Sequence, residues 1–300
     1  MLYSLLLIIT SMIWGGGFVA QSAGGDALGP WTFNGMRYVI SGPVLLALIP
    51  LLTRFGLTKK PETPAQRRQL IKAGICCGVA LFVASNLQQL GITLGDSTGK
   101  AGFLTACYIV LVPIIGIALG RKCGWNVWVG AAVALVGLFL LCIKGSFSLT
   151  LSDSLLLLCA LAYSWQILTI DHFSAVDSVR MACVEFLTVG VLSIPLMLFT
   201  EILPDPAAWV ASFGRDGALL SLAYAALLSG CLAYTLQVVA QSRLHPAVAS
   251  LLMSLEAVFS VLAGWIILGE QLSPRELAGC GLIFAAVVVA QLPIGKKQNA

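Results

Sequence analysis

The chain has 300 residues, 59% of them hydrophobic and 10% charged, with a mean hydropathy of +0.96; soluble domains run nearer about 45–50% apolar and about a quarter charged, which excludes a water-soluble globule. The net charge of +4 comes from 17 basic and 13 acidic side chains. Six of the basic ones, against one glutamate, crowd into RFGLTKKPETPAQRRQLIK at 54–72, which has the make-up of a cytoplasmic loop and not of a nucleic-acid patch.

A membrane-spanning helix needs about 20 mostly apolar residues. On that ruler the predicted spans fall at 2–22, 31–52, 71–93, 100–119, 126–143, 154–170, 180–200, 217–239, 247–268 and 275–292, joined by short polar breaks. The expected fold class is therefore an all-α polytopic membrane protein of ten transmembrane helices. The first span has no basic n-region and runs through WGGGF without a cleavage site, so it reads as a span and not a signal peptide. Its Ser11, Trp14, Phe18 and Gln21 follow at steps of three and four, on one helix face. Arg37 in the second span is expected to snorkel to the outer surface. The third holds Ser85, Asn86, Gln88 and Gln89 within five residues, too many for a lipid-facing side. The fourth opens on Lys100, which either attracts an anionic group at the outer mouth or sits in solvent, and carries Tyr108.

The sixth span contributes Tyr163, Trp165, Gln166 and Thr169. The seventh bears Glu185, at a depth related to that of Arg37. In the eighth, Tyr234, Gln237 and Gln241 stand at i, i+3 and i+7, one stripe. The ninth carries one charge, Glu256, ten residues beyond Pro246, or about 15 Å along a helix and so near mid-membrane. Met253 and Ser260 share its face. A carboxylate at that depth is expected to be protonated, or paired and facing protein or water, which would suit a proton-coupled step or a structural hydrogen bond. After Gly269, Ser273, Pro274 and Glu276 form the N-cap, N1 and N3 of a capping box, and Glu270 belongs to that outer turn.

The nine cysteines lie mostly in apolar stretches and read as packing residues, not as a disulfide framework. The two histidines, His172 and His245, stand at no ligand spacing, so neither a metal nor a cofactor is expected. With the N-terminus inside, 12 of the 17 basic residues fall on cytoplasmic segments, four fall outside and Arg37 lies within a span. That bias places both termini in the cytoplasm and the chain in the cytoplasmic membrane.

Sliding the chain by 149 positions aligns Leu87-Gln88 with Leu236-Gln237, Val112 with Val261, Ile117 with Ile266, Leu119-Gly120 with Leu268-Gly269, and Gly130 with Gly279. An offset of 151 aligns Trp14 with Trp165. The expected domains are two five-helix repeats, 1–148 and 149–300. An odd repeat enters the membrane inverted the second time, the architecture of many secondary carriers, which bind substrate at the midplane between halves. The polar set is expected to line that cavity: Trp14, Ser85, Asn86, Gln88, Gln89, Lys100, Tyr108, Tyr163, Trp165, Gln166, Tyr234, Gln237 and Gln241, with Glu256 as a proton-coupling candidate. The competing account is hydrogen-bonded glue between helices. The sequence has no HExxH and no GxxxxGK[ST], and its loops are too short for a catalytic domain.

SLEAVFSVLAGWIILGEQLSPRELAGCGLIFAAVV at 254–288, IWGGGFVA at 13–20 and NGMRYVISG at 34–42 together resemble the EamA-type domain of the drug/metabolite transporter superfamily, in two copies over the whole chain. The resemblance implies ten helices in two inverted repeats, a cavity lined by helices 1, 3, 4, 6, 8 and 9, and movement of small metabolites, often amino acids, out of the cell. Ala257 follows Glu256 where the family commonly has proline, which puts a kink there in doubt. Cys107 and Arg121 stand at the first-half positions matching Glu256 and Glu270. The expected partners are a small-molecule solute, neutral or zwitterionic, and the lipid bilayer, with no nucleic acid. A non-transporting scaffold or receptor, or an integral membrane enzyme, are the rival readings.

Overall fold

A computed structural model describes residues 2–95, 98–143, 150–268 and 273–291; Glu270, assigned to the outer turn, lies outside the described residues. The chain is helical throughout them: α1 (Leu2–Leu28), α2 (Pro30–Arg54), α3 (Pro64–Leu94), α4 (Thr98–Ala106 continuing as Tyr108–Ala118), α5 (Trp125–Cys142), α6 (Leu151–His172), α7 (Ser178–Met197 continuing to Ile202), α8 (Ala218–Ala223 continuing to Gln241), α9 (Pro246–Met253 continuing as Leu255–Leu268) and α10 (Pro274–Gln291). Among the described residues nine helices, α1 to α9, are long and apolar enough to cross a membrane. The chain is an all-α polytopic membrane protein.

Local chemistry accounts for most of the boundaries. Thr63 and Thr150 each close a capping box, with Gln66 and with Asp153. Ser273 Oγ accepts from the Glu276 N–H at 3.3 Å while Glu276 Oε2 accepts from the Ser273 N–H at 2.8 Å, the box expected at α10. Helix α1 runs six residues past its expected end, because its glycines pack against neighbours instead of breaking it. Only Gly29, at φ +86°, separates it from α2. A Cβ there would sit 2.5 Å from Glu201 Oε1. The Glu201 carboxylate in turn accepts from the Trp31 and Thr32 N–H groups at 3.1 and 2.6 Å, an anion at a helix N-terminus.

Three departures from regularity stand near the middle of the fold. Helix α4 is interrupted at Cys107 and α9 at Ser254, two residues before Glu256 and without a proline. The break in α9 thus forms despite Ala257. In α8, Tyr224–Tyr234 is π-helical, and its carbonyls serve neighbouring helices. Trp14 Nε1 donates to Ser229 O at 3.3 Å, Ser41 Oγ to Ala226 O at 2.7 Å, and Thr10 Oγ1 to Ala233 O at 3.3 Å. The sequence also holds a short helix not expected, Pro206–Ser212, capped by Asp205.

The packing brings α2 against α7, α3 against α6 and α7, α1 against α8 and α9, α4 against α6, and α5 along α10. The last pair is the closest. A Cβ on Gly137 would lie 2.9 Å from Gly279 O, and one on Gly279 would lie 2.7 Å from Gly137 O. Buried apolar side chains of these helices, among them Leu81, Leu138, Phe186 and Val258, form one continuous core.

Candidate functional site

Where α1, α2, α3, α4, α6, α8 and α9 converge, they line a cavity of about 40 Å³. Its wall includes Trp14, Phe18 and Gln21 of α1, Arg37 of α2, Gln88 of α3 and Thr105 and Tyr108 of α4. Tyr163 and Ile167 of α6, Ser229, Tyr234 and Gln237 of α8, and Met253 and Glu256 of α9 complete it. All six helices named by the resemblance contribute, and α2 adds Arg37. A water needs about 10–15 Å³ and pockets for larger ligands run to about 300–1,000 Å³. The cavity therefore has room for a few waters, and a metabolite requires the helices to part.

Hydrogen bonds among its polar side chains cross-link the wall. Tyr163 Oη meets Gln88 Oε1 at 3.1 Å and Tyr234 Oη at 3.1 Å, joining α6 to α3 and α8. Gln21 Nε2 reaches Gln88 Oε1 at 3.5 Å. Trp14 leans on Tyr234 with ring centroids 4.8 Å apart. The Glu256 carboxylate is 6% exposed and accepts a 3.4 Å hydrogen bond from Tyr108 Oη. Gln237 Oε1 and Arg37 Nε are buried without a hydrogen-bond partner. Thr105 Oγ1 on the same wall is a third, whereas buried polar atoms are nearly always satisfied.

Of the residues expected at a cavity, Trp14, Gln88, Tyr108, Tyr163, Tyr234, Gln237 and Glu256 are on this wall. The others are elsewhere. Ser85 and Asn86 receive hydrogen bonds from Asn34 Nδ2 at 3.2 and 3.0 Å, which clamps α3 to α2. Gln89 donates to the Gln21 carbonyl at 3.1 Å. Lys100 pairs with Asp153 at 2.7 Å, tying the start of α4 to that of α6. Gln166 donates to Glu185 Oε1 at 2.9 Å in a separate buried pair. Gln241 reaches Met253 Sδ at 3.2 Å from behind the wall. Trp165 is 55% exposed, outside the cavity altogether. Two residues along a helix is a turn of about 200°, so with Tyr163 facing inward Trp165 faces out.

Arg37 reverses its expectation of snorkelling. It is 1% exposed, its guanidinium carbon lies 4.7 Å from the Tyr38 ring centroid, and Nη2 donates to Tyr38 Oη at 2.6 Å. Its burial had no local signal, since Tyr163 and Tyr234 come from distant parts of the chain. The wall also carries a spacing regularity. Trp14 and Tyr163 stand 149 positions apart, as do Phe18 and Ile167, and Gln88 and Gln237. The partner of Trp14 at the shared offset is thus Tyr163 and not Trp165.

Gly95 to Gly99 also reads GxSxG. The hydrolase motif of that spacing follows a strand, whereas here a helix, α3, precedes it; Asp96 and Ser97 lie outside the described residues. Among the described residues no cluster of His, Cys, Asp or Glu is suited to a metal.

The sequence profile described as the EamA-like transporter family matches the chain twice, at residues 1–143 and 150–291. An uncharacterized transporter of Archaeoglobus fulgidus is 28% identical over 290 residues, covering 96% of this chain and 85% of its own. The threonine/homoserine exporter RhtA of Escherichia coli K12 is 38% identical over 74 residues, a quarter (25%) of each chain. A crystal structure of a protein 18% identical superposes with a TM-score of 0.77 over 96% of both chains, a likeness of fold.

Proposed function

The chain belongs to the EamA-like transporter family, and from that membership, which makes it a small-molecule transporter in the membrane and not an enzyme, we propose a secondary active exporter of small organic metabolites. Its solutes are neutral or zwitterionic and amino-acid-like, and it works by alternating access around the α1–α9 cavity. The observation that carries the reading is the cavity wall itself: buried polar and aromatic side chains from both halves of the sequence, cross-linked by hydrogen bonds around a space too small for a solute. Secondary carriers built from repeats bind their solutes at such a junction.

Repetition supports the mechanism. The profile matches twice, and contacts come in exchanged pairs. A Cβ on Gly130 would lie 3.0 Å from Ala286 O and one on Gly279 2.7 Å from Gly137 O, and the offset of 149 carries Gly130 to Gly279 and Gly137 to Ala286. A Cβ on Gly42 would lie 3.2 Å from Leu187 N and one on Gly190 3.3 Å from Val39 N, with an offset of 148 carrying Gly42 to Gly190 and Val39 to Leu187. Such exchange supports a reading of two five-helix repeats, 1–148 and 149–300, the second inverted because five is odd, with α10 as the tenth span. The bias of basic residues favours both termini on the cytoplasmic side. RhtA, named for threonine and homoserine export, supports amino-acid-like solutes.

The test is efflux from proteoliposomes loaded with labelled amino acids and amines, with and without a pH gradient. Wild-type efflux of one solute class that follows the gradient, with the gradient dependence lost in Glu256→Gln, is the expected result and assigns proton coupling to Glu256. Efflux indifferent to both leaves a uniporter with Glu256 as structure. No protein-dependent efflux of any solute overturns the transporter mechanism.

A further inference from the structure

The cavity wall contains one full positive charge, on Arg37, and among the described residues no carboxylate lies within 4.0 Å of it. A desolvated guanidinium is costly unless paired and hydrogen-bonded. Here it is held on one side by the Tyr38 ring and anchored by one short bond from Nη2 to Tyr38 Oη, while Nε has no partner. The wall's own carboxylate, Glu256, bonds to Tyr108 instead. Glu185, the buried acid on the helix packed against α2, bonds to Gln166. A planar cation fixed in orientation on a cavity wall, with a buried N–H that no group among the described residues satisfies, is arranged for an anionic group arriving from outside the protein.

We propose that Arg37 recognises a carboxylate on the transported solute, which enters as the counter-ion this buried guanidinium lacks. The inference rests on the transporter reading above and narrows its solutes to carboxylates. It also explains why α2, absent from the helices expected at the cavity, sends one side chain into it. Tyr163 and Tyr234, whose hydroxyls are bonded to each other at 3.1 Å, flank the site as neutral hydrogen-bonding groups that would not compete with the incoming anion.

The experiment uses matched probes on the full chain in proteoliposomes. For each of threonine, leucine and phenylalanine the set holds the amino acid, its amide, the amine lacking the carboxyl group, and the hydroxy acid lacking the amine. Competition against efflux and ligand-induced thermal shift in detergent are both read. Wild type is expected to prefer acids over their amides by at least about tenfold, with Arg37→Lys keeping part of that ratio and Arg37→Gln bringing it to about one. The hydroxy acid arm tells whether the carboxylate suffices or the amine is also required. Amides and amines moving as well as acids in wild type would overturn the inference and leave the transporter standing, a result that needs no variant to fold. An undiminished preference in Arg37→Gln would likewise reject it. Absence of both transport and thermal shift for every probe would remove the transporter reading with it.

Discussion

The α5–α10 seam and the α1–α9 cavity are both places where the two halves of the chain meet, and they solve opposite problems. At the seam, Gly130, Gly137 and Gly279 let the two helices come together backbone to backbone. At the cavity, tyrosines, glutamines, an arginine and a glutamate surround a small void, and some of their polar atoms go unsatisfied. Close packing of small residues is the main source of helix association where lipid supplies no hydrophobic drive. The molecule thus concentrates rigidity in one region and polar strain in the other.

The sharpest way to break that contrast is to fill the seam. In Gly137→Leu the new Cβ alone meets Ile283 Cγ1 at 2.8 Å and Gly279 O at 2.9 Å. The expected cost is a fall of about 5–10 °C in unfolding temperature. A thiol-reactive dye in detergent reads it directly, because most of the cysteines are buried. An unchanged midpoint would mean that the seam is not where stability resides.

A smaller effect, and of the other kind, is expected from Tyr163→Phe. It removes the hydroxyl that joins Gln88 to Tyr234 and keeps the ring. Efflux should fall about three- to tenfold while the unfolding midpoint moves by no more than about 2 °C. The reverse pattern, full flux in a destabilised protein, would make the wall structural glue. The smallest effect belongs to Trp165→Leu. Being more than half exposed, Trp165 should be replaceable within about 0.5 kcal/mol of stability and with flux changed less than about twofold. A large loss of flux would return it to the site.

Legibility in the sequence followed the range of the physics involved. Spans came from runs of apolar residues, and the Ser273–Glu276 cap from a four-residue pattern, so both could be read locally. Glu256 was placed near mid-membrane by counting from Pro246, and it faces the cavity. Azimuth was harder. The shared offset of 149 selects Tyr163, but tryptophan identity favoured 151 and chose the opposite face of α6. Ser85 and Asn86 were indistinguishable from Gln88 because their partner, Asn34, is some fifty residues away. Arg37 was misread for a similar reason. Nothing near it in the chain announces that Tyr163 and Tyr234 will stand around it, and a lone arginine in a span defaults to the nearest water.

The π-helical run in α8 has a further consequence. Widening a helix changes the angle advanced per residue, so Tyr224–Tyr234 sets the rotation of everything after it relative to everything before. Gln237 and Gln241 sit beyond that run, Gln237 on the wall and Gln241 just behind it. A shift of hydrogen-bond register inside the run would turn the end of α8 like a dial, carrying Gln237 and Gln241, which share one stripe, together relative to the cavity. Its carbonyls are the ones already bonded to Trp14, Ser41 and Thr10, so α1 and α2 hold the dial at its present setting.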